Sequence, residues 1–114
     1  MSDSYDHARL VELFGGDPAT LAEVERAFVD TTRDAEREIL ASDDCAAIAT
    51  AAHRLKGTAG MVGASALRLL AETIERAARA HDLAGVRRQH EALTREVRRI
   101  ARQADSACAI ATDV

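Results

Sequence analysis

The stretch H-R-L-K-G-T-A-G-M-V-G-A, which runs from His53 to Ala64, decides how this chain folds. Within it, His53, Lys56, Gly57 and Gly60 follow one another at helical spacing, so they share one face of an α-helix. The other face of the same helix carries apolar residues at the three- and four-residue spacing that is typical of a buried helix face. These are Ile48, Ala52, Leu55, Ala59 and Val62. The pattern therefore predicts a helix that buries one side and points His53 outward.

The two glycines of the outward face destabilise the helix. Each glycine in a helix interior costs roughly 1 kcal/mol relative to alanine, so Gly57 and Gly60 need a reason outside the helix itself. Small residues beside a histidine allow another protein to approach its imidazole closely. Lys56 adds a compact positive charge and is the only lysine among fifteen Lys and Arg residues. This arrangement is typical of a site that carries a phosphoryl group on histidine; the alternative for Lys56 is a solvated surface charge.

Five helical segments are predicted along the chain. They run from about Asp6 to Phe14, from Pro18 to about Ala41, from Asp44 to Gly63, from Ala64 or Ser65 to the break at His81, and from Asp82 to about Ala104. The clearest start is that of the second helix, where Asp17 is the N-cap and Pro18 the first helical residue. The first helix is expected to lay Leu10, Leu13 and Phe14 across one end of the bundle.

The composition favours an all-α fold: an antiparallel up-down-up-down four-helix bundle with a short extra N-terminal helix. Apolar residues make up 47% of the chain, aromatic residues only 3%, and there is one proline. This is typical of a bundle in which each helix buries one stripe, which needs no second copy. We expect a single domain over residues 1–104, a weakly structured tail over residues 105–114, and a monomer.

Size, charge and cysteine content limit the classes of function. A chain of 114 residues has no room for a separate ATP-binding domain. The formal charge of −4 argues against nucleic acid as the principal partner. No apolar run approaches the roughly eighteen residues of a membrane span, and no signal peptide is evident. Cys45 and Cys108 are too few for a disulfide framework, so we expect free thiols in the cytoplasm.

The turn near Ala64 permits a prediction about a second site residue. His53 lies eleven residues before Ala64 and Glu75 eleven after it, so the two reach the same height on antiparallel neighbours. The Glu75 carboxylate would then accept a hydrogen bond from Nδ1–H of His53 and leave Nε2 as the nucleophile. Alternatively, Glu75 is solvated and pairs with a nearby arginine. The candidates are Arg54, Arg68 and Arg79.

Short side chains extend the face of His53 toward the start of its helix. They belong to Ala46, Ala49 and Thr50. We expect a partner to lay a helix on this surface; the alternative is that the alanines only reflect an alanine-rich chain. The other histidines lack a neighbouring lysine and glycines, and their spacing predicts no metal site.

The residues from His53 to Ala64 resemble the H-x-[LI]-K-G-[SAT]-[AS]-x-x-[LVF]-G signature of histidine-containing phosphotransfer (HPt) domains. These are modules of multistep phosphorelays in bacteria and plants. The similarity extends to the order of the helices, from about Asp17 to Ala104. It implies a four-helix bundle with the phosphoacceptor exposed near the middle of the second bundle helix.

The resemblance also implies roles for individual residues. His53 would take a phosphoryl group from the receiver-domain aspartate of a hybrid sensor kinase and pass it to the receiver aspartate of a response regulator. Lys56 would offset phosphoryl charge, and Glu75 would orient the imidazole. Gly57 and Gly60 would admit the receiver's loops. Mg²⁺ would sit on the receiver, so that this chain, as a phosphocarrier rather than a self-contained enzyme, would bind no metal or cofactor.

Two other functions stay open at this point. The chain is alternatively the phosphoacceptor domain of a chemotaxis-type or hybrid sensor histidine kinase, phosphorylated by a separate ATP-binding domain; this requires a longer parent chain. It is alternatively a non-catalytic helical adaptor, against which the combination of His53 with Lys56 counts. A dimerising histidine-kinase helix is disfavoured, because no proline follows the histidine.

Overall fold

The structure, a computed structural model, describes residues 3–112, with side chains described as far as residue 107. Within this range the regular structure is entirely α-helical, which confirms the predicted all-α class. The helices are α1 (His7–Phe14), α2 (Pro18–Ala41), α3 (Cys45–Met61), α4 (Ser65–Arg79), α5 (Leu83–Arg88) and α6 (His90–Thr112).

Aspartates define where most of the helices begin. In each case the carboxylate accepts a hydrogen bond from a backbone N–H of the first turn, which has no partner within the helix. These caps are Asp6, Asp17, Asp44 and Asp82. The predicted start of α2 is confirmed, since Asp17 accepts from the N–H of Thr20 at 3.0 Å and Pro18 opens the helix.

The core is built from one apolar stripe of each long helix. Helix α2 packs against α3 and α6, α3 packs against α4, and α4 also packs against α5 and α6. The predicted core face of α3 is confirmed, because each of its members is at most 2% exposed. They are Ile48, Ala52, Leu55, Ala59 and Val62. The up-down-up-down order of the whole bundle stays a prediction.

The segment before α1 closes one end of the bundle. Tyr5 is buried, its ring meets that of Phe28 edge-on at a centroid distance of 5.5 Å, and its hydroxyl donates to the buried Glu25 carboxylate. Gln103 of α6 donates to the carbonyl of Tyr5 at 3.0 Å and accepts from the N–H of Ser4 at 2.7 Å. The start of the chain is thereby attached to both α2 and α6.

The turn between α3 and α4 depends on Gly63. Its φ is +70°, a conformation that side chains with a Cβ rarely adopt. A Cβ on Gly63 would also lie only 2.8 Å from Cβ of Asp6. Asp6 approaches this closely because its N–H donates to the carbonyl of Val62 at 2.9 Å. The segment before α1 therefore fixes the corner from which α3 and α4 diverge.

The predicted role of α1 is wrong in part. Leu10 is fully buried, whereas Leu13 and Phe14 are 51% and 42% exposed. Helix α1 packs mainly against α2, so no second helix covers its last turn. Gly15 then ends α1, as predicted, with a φ of +88°.

The predicted fifth helix is in fact two helices, α5 and α6. The N–H of Gln89 donates to the carbonyl of Val86, three residues back, at 3.0 Å, and this tighter turn ends α5. The carbonyl of Gln89 accepts from the N–H of Leu93 at 2.9 Å and starts α6.

For residues 105–112, where the sequence predicts a weakly structured tail, the structure continues α6 to Thr112. No glycine or proline interrupts this stretch, and its alanines favour a helix. Asp113 and Val114 lie outside the described residues.

Other expectations from the sequence concern thiols, membranes and metals. Cys45 is a free, partly buried thiol, and the side chain of Cys108 lies outside the described range. None of the helices described is both long enough and apolar enough to cross a membrane. Among the described side chains, no three His, Cys, Asp or Glu residues are grouped in a way that could hold a metal ion.

Candidate functional site

His53 lies at the midpoint of α3 with its side chain 61% exposed. Ala52, directly before it, and Leu55, two residues after it, are buried in the core. The helix is therefore held by its inner face, and His53 is presented on the outer one, as the periodicity predicted. An exposed imidazole on a firmly packed helix is accessible to another protein without any rearrangement of the fold.

The imidazole of His53 is oriented by a buried carboxylate on the neighbouring helix. Its Nδ1 lies 2.9 Å from Oε2 of Glu75, and Glu75 is only 5% exposed. This is the contact that the equal distances of the two residues from the turn predicted. An ionised carboxylate can only accept, so Nδ1 carries the proton and donates it. In the neutral ring, Nε2 is then unprotonated and has a free lone pair.

Glu75 has two further partners, both of them cations. Nζ of Lys56 lies 2.8 Å from Oε1, while Nε and one terminal nitrogen of Arg79 donate to Oε2 at 3.1 Å and 2.7 Å. The arginine partner of the second alternative is thus present together with His53, but Glu75 is buried and not solvated. The ion pair with Lys56 was missed, although Lys56 follows His53 by one helical turn on the same face and the hairpin brings that face to Glu75.

The two cations keep Glu75 ionised. Hydrogen bonds from Lys56, from Arg79 and, more weakly, from His53 together lower the pKa of Glu75 from 4.5 to about 2, against the opposing effect of burial. The carboxylate is consequently charged throughout the neutral range. A permanent negative charge beside Nδ1 favours a ring that holds its proton at that nitrogen.

The two glycines of the exposed face have different surroundings. A Cβ placed on Gly57 would meet no other atom within 4 Å, so the surface there is open. A Cβ on Gly60 would lie 3.6 Å from Cδ of Arg68, a normal van der Waals distance. Gly60 is therefore partly covered by the Arg68 side chain from α4. Neither glycine is required by packing within the monomer.

The surface expected before His53 needs one correction. Ala46 and Thr50 are exposed, but Ala49 is 9% exposed and belongs to the core. Ala49 precedes Lys56 by seven residues, so it lies on the same side of α3. Lys56 contacts Glu75 of α4, so Ala49 lies on the side of α3 that faces α4.

Replacing Gly57 by alanine should stabilise the isolated protein. The added methyl group enters open space, and the free energy of unfolding should rise by about 1 kcal/mol because alanine favours a helix. Gly63→Ala is the matched control. It should destabilise the protein, because φ of Gly63 is positive and the added Cβ would lie too close to Cβ of Asp6. Urea denaturation followed by circular dichroism measures both. A loss of stability in Gly57→Ala would mean that this glycine serves the fold itself.

Replacing Glu75 by glutamine should make the free energy of unfolding fall less steeply as the pH is lowered. A pKa of about 2 in the folded protein, against an ordinary 4.5, stabilises the fold above pH 4.5, and this stabilisation disappears as the pH falls from 4.5 toward 2. The parent should therefore lose free energy of unfolding more steeply than Glu75→Gln in this window. Urea denaturation at a series of pH values tests this, with Glu72→Gln, a more exposed carboxylate on the same helix, as control. Equal slopes for the parent and Glu75→Gln would contradict the assignment.

Comparison with known proteins identifies the family. The family model described as the Hpt domain matches residues 12–103, which is most of the chain. The match includes His53, its glycine-bearing face and the helix that carries Glu75. Comparisons with curated proteins and with solved structures returned no match. Hpt domains are phosphocarrier modules of two-component phosphorelays and have no ATP site of their own. On the extent of this match, the chain belongs to the Hpt domain family.

Proposed function

We propose that His53 is the phosphoacceptor, and that it takes a phosphoryl group from the aspartate of one receiver domain and delivers it to the aspartate of another. The observation that carries this proposal is the contact between Nδ1 of His53 and the buried Glu75 carboxylate, 2.9 Å long. It leaves Nε2 as an exposed nucleophile on a face that is otherwise lined by small residues.

The chemistry needs no proton transfer at the moment of reaction. The Nε2 lone pair attacks the phosphorus of an aspartyl phosphate, the N–P bond forms, and the P–O bond to the aspartate breaks with release of its carboxylate. Because Nδ1 keeps its proton, the ring becomes cationic as the bond forms, and the adjacent Glu75 carboxylate stabilises that charge. The reverse sequence returns the phosphoryl group to a second aspartate.

Lys56 has to change partner during this reaction. In the unphosphorylated protein it is bound to Glu75, while the incoming phosphoryl group brings close to two negative charges. We infer that the Lys56 ammonium turns from Oε1 of Glu75 to the phosphoryl oxygens. Arg79 stays on Oε2 and keeps the buried carboxylate paired, so that the orientation of the ring is preserved.

The receiver supplies the remainder of the site. Its Mg²⁺ and acidic residues would stabilise the transferring phosphoryl group, while Gly57, Gly60, Ala46 and Thr50 leave room for its loops. In this scheme the receiver supplies the metal and this chain supplies the histidine. This agrees with a phosphocarrier module that has no ATP site of its own. The identity of the donor distinguishes this function from that of a phosphoacceptor domain served directly by a kinase.

We predict that a phosphorylated receiver labels this protein without ATP and gives an acid-labile, alkali-stable adduct. His53→Gln should take up no label. His81→Asn is the control, because His81 is exposed and its φ of +55° is tolerated by asparagine; it should label like the parent. Lys56→Ala should fold normally and react roughly tenfold to a hundredfold more slowly, as expected for a lost hydrogen bond to a charged group.

Several outcomes would contradict the proposal. Full labelling of His53→Gln would place the acceptor elsewhere. Labelling only by a kinase catalytic domain with ATP, and by no receiver, would favour the kinase-domain alternative. The absence of labelling by either donor would favour a helical adaptor.

A further inference from the structure

The side chain of Arg68 lies beside the exposed face of α3. Its Cδ is 3.6 Å from the position that a Cβ on Gly60 would occupy. Gly60 follows His53 by seven residues, which is two helical turns or about 10.5 Å along the same face. Arg68 thus comes from α4 but contributes to the surface that a partner of His53 has to cover.

Arg68 is held less firmly than the two cations that bind Glu75. Lys56 and Arg79 are bound at 2.8 Å and 2.7 Å to the buried Glu75 carboxylate. The only ion pair described for Arg68 is with Glu72 at 4.0 Å, and both side chains are well exposed. A surface pair of this kind contributes little free energy. The guanidinium of Arg68 can therefore exchange Glu72 for a carboxylate on a partner.

Exposed apolar side chains border Arg68 and Gly60. Met61, directly after Gly60, is 51% exposed, and Leu69, directly after Arg68, is 55% exposed. A partner that covers these two side chains together with Arg68 removes water from its guanidinium. An arginine–carboxylate pair is stronger when desolvated, and its two parallel hydrogen bonds impose a geometry.

We propose that Arg68 is a specificity-determining residue that selects receivers with an aspartate or glutamate facing the α3–α4 turn. That carboxylate would lie about two helical turns from the reacting aspartate. At this distance Arg68 does not reach the phosphoryl group, so it acts on recognition and not on the chemistry. The inference rests on the proposed function of His53.

The test compares Arg68→Glu and Arg68→Ala with Arg76→Glu. Arg76 is the matched control, an exposed arginine of α4 for which the described residues contain no ion pair. Chemical phosphorylation by phosphoramidate, which needs no receiver, is measured first for every variant. All variants should react at the rate of the parent, because this reaction needs no contact with a receiver. Circular dichroism checks that each variant is folded.

Phosphotransfer to a panel of receivers is then measured. Arg68→Glu should lower kcat/KM for the preferred receiver by about tenfold or more, because two like charges are brought together. Arg68→Ala should have a smaller effect, and Arg76→Glu should have almost none. Replacing the facing carboxylate of that receiver by arginine should restore transfer to Arg68→Glu.

The two proposals fail in different ways. If phosphoramidate and receivers both leave the parent unlabelled, the function assigned to His53 is wrong. If the parent is labelled and Arg68→Glu transfers to every receiver as the parent does, only the role of Arg68 is wrong. An equal loss in Arg68→Glu and Arg76→Glu would also overturn it, because the effect would then come from overall charge.

Discussion

The structure of the site depends on one buried carboxylate. Glu75 lies between α3 and α4, 5% exposed, where an unpaired negative charge would be strongly unfavourable. It is tolerated because Lys56, Arg79 and His53 all donate to it. The same contacts that make its burial possible also fix the imidazole and hold Lys56 next to it. The stability of the helical pair and the orientation of the imidazole therefore depend on the same contacts of Glu75.

The register of α3 against α4 is what brings these groups together. Two contacts join residues at equal distances from Ala64: His53 with Glu75, and Gly60 with Arg68. Both require the tight corner at Gly63, and that corner is held by Asp6 from outside the helical pair. The segment before α1 is thus part of the support of the site, although it lies far from His53 in the sequence.

Much of the site could be predicted from the sequence because it follows from helical periodicity and one turn. The outward direction of His53 results from the spacing of Ile48, Ala52 and Leu55, and its contact with Glu75 results from equal distances to the turn.

Features that depend on the lateral packing of helices were not predictable in this way. Periodicity alone does not show that Ala49 is buried, that the Arg68 side chain lies beside Gly60, or that Lys56 binds Glu75. The break at Gln89 was missed for a related reason. The apolar stripe continues across it, and only one turn changes its hydrogen bonding.

Under the proposed function, the molecule supplies half of a reaction centre: the imidazole of His53, two cations beside it and an open approach. Glu75 holds the proton of His53 at Nδ1 and leaves Nε2 free. Long-range ¹H–¹⁵N spectra of the neutral imidazole distinguish the two tautomers. They should show the Nδ1–H tautomer in the parent and a weakened preference for it in Glu75→Ala. A neutral His53 that carries its proton at Nε2 would contradict this assignment.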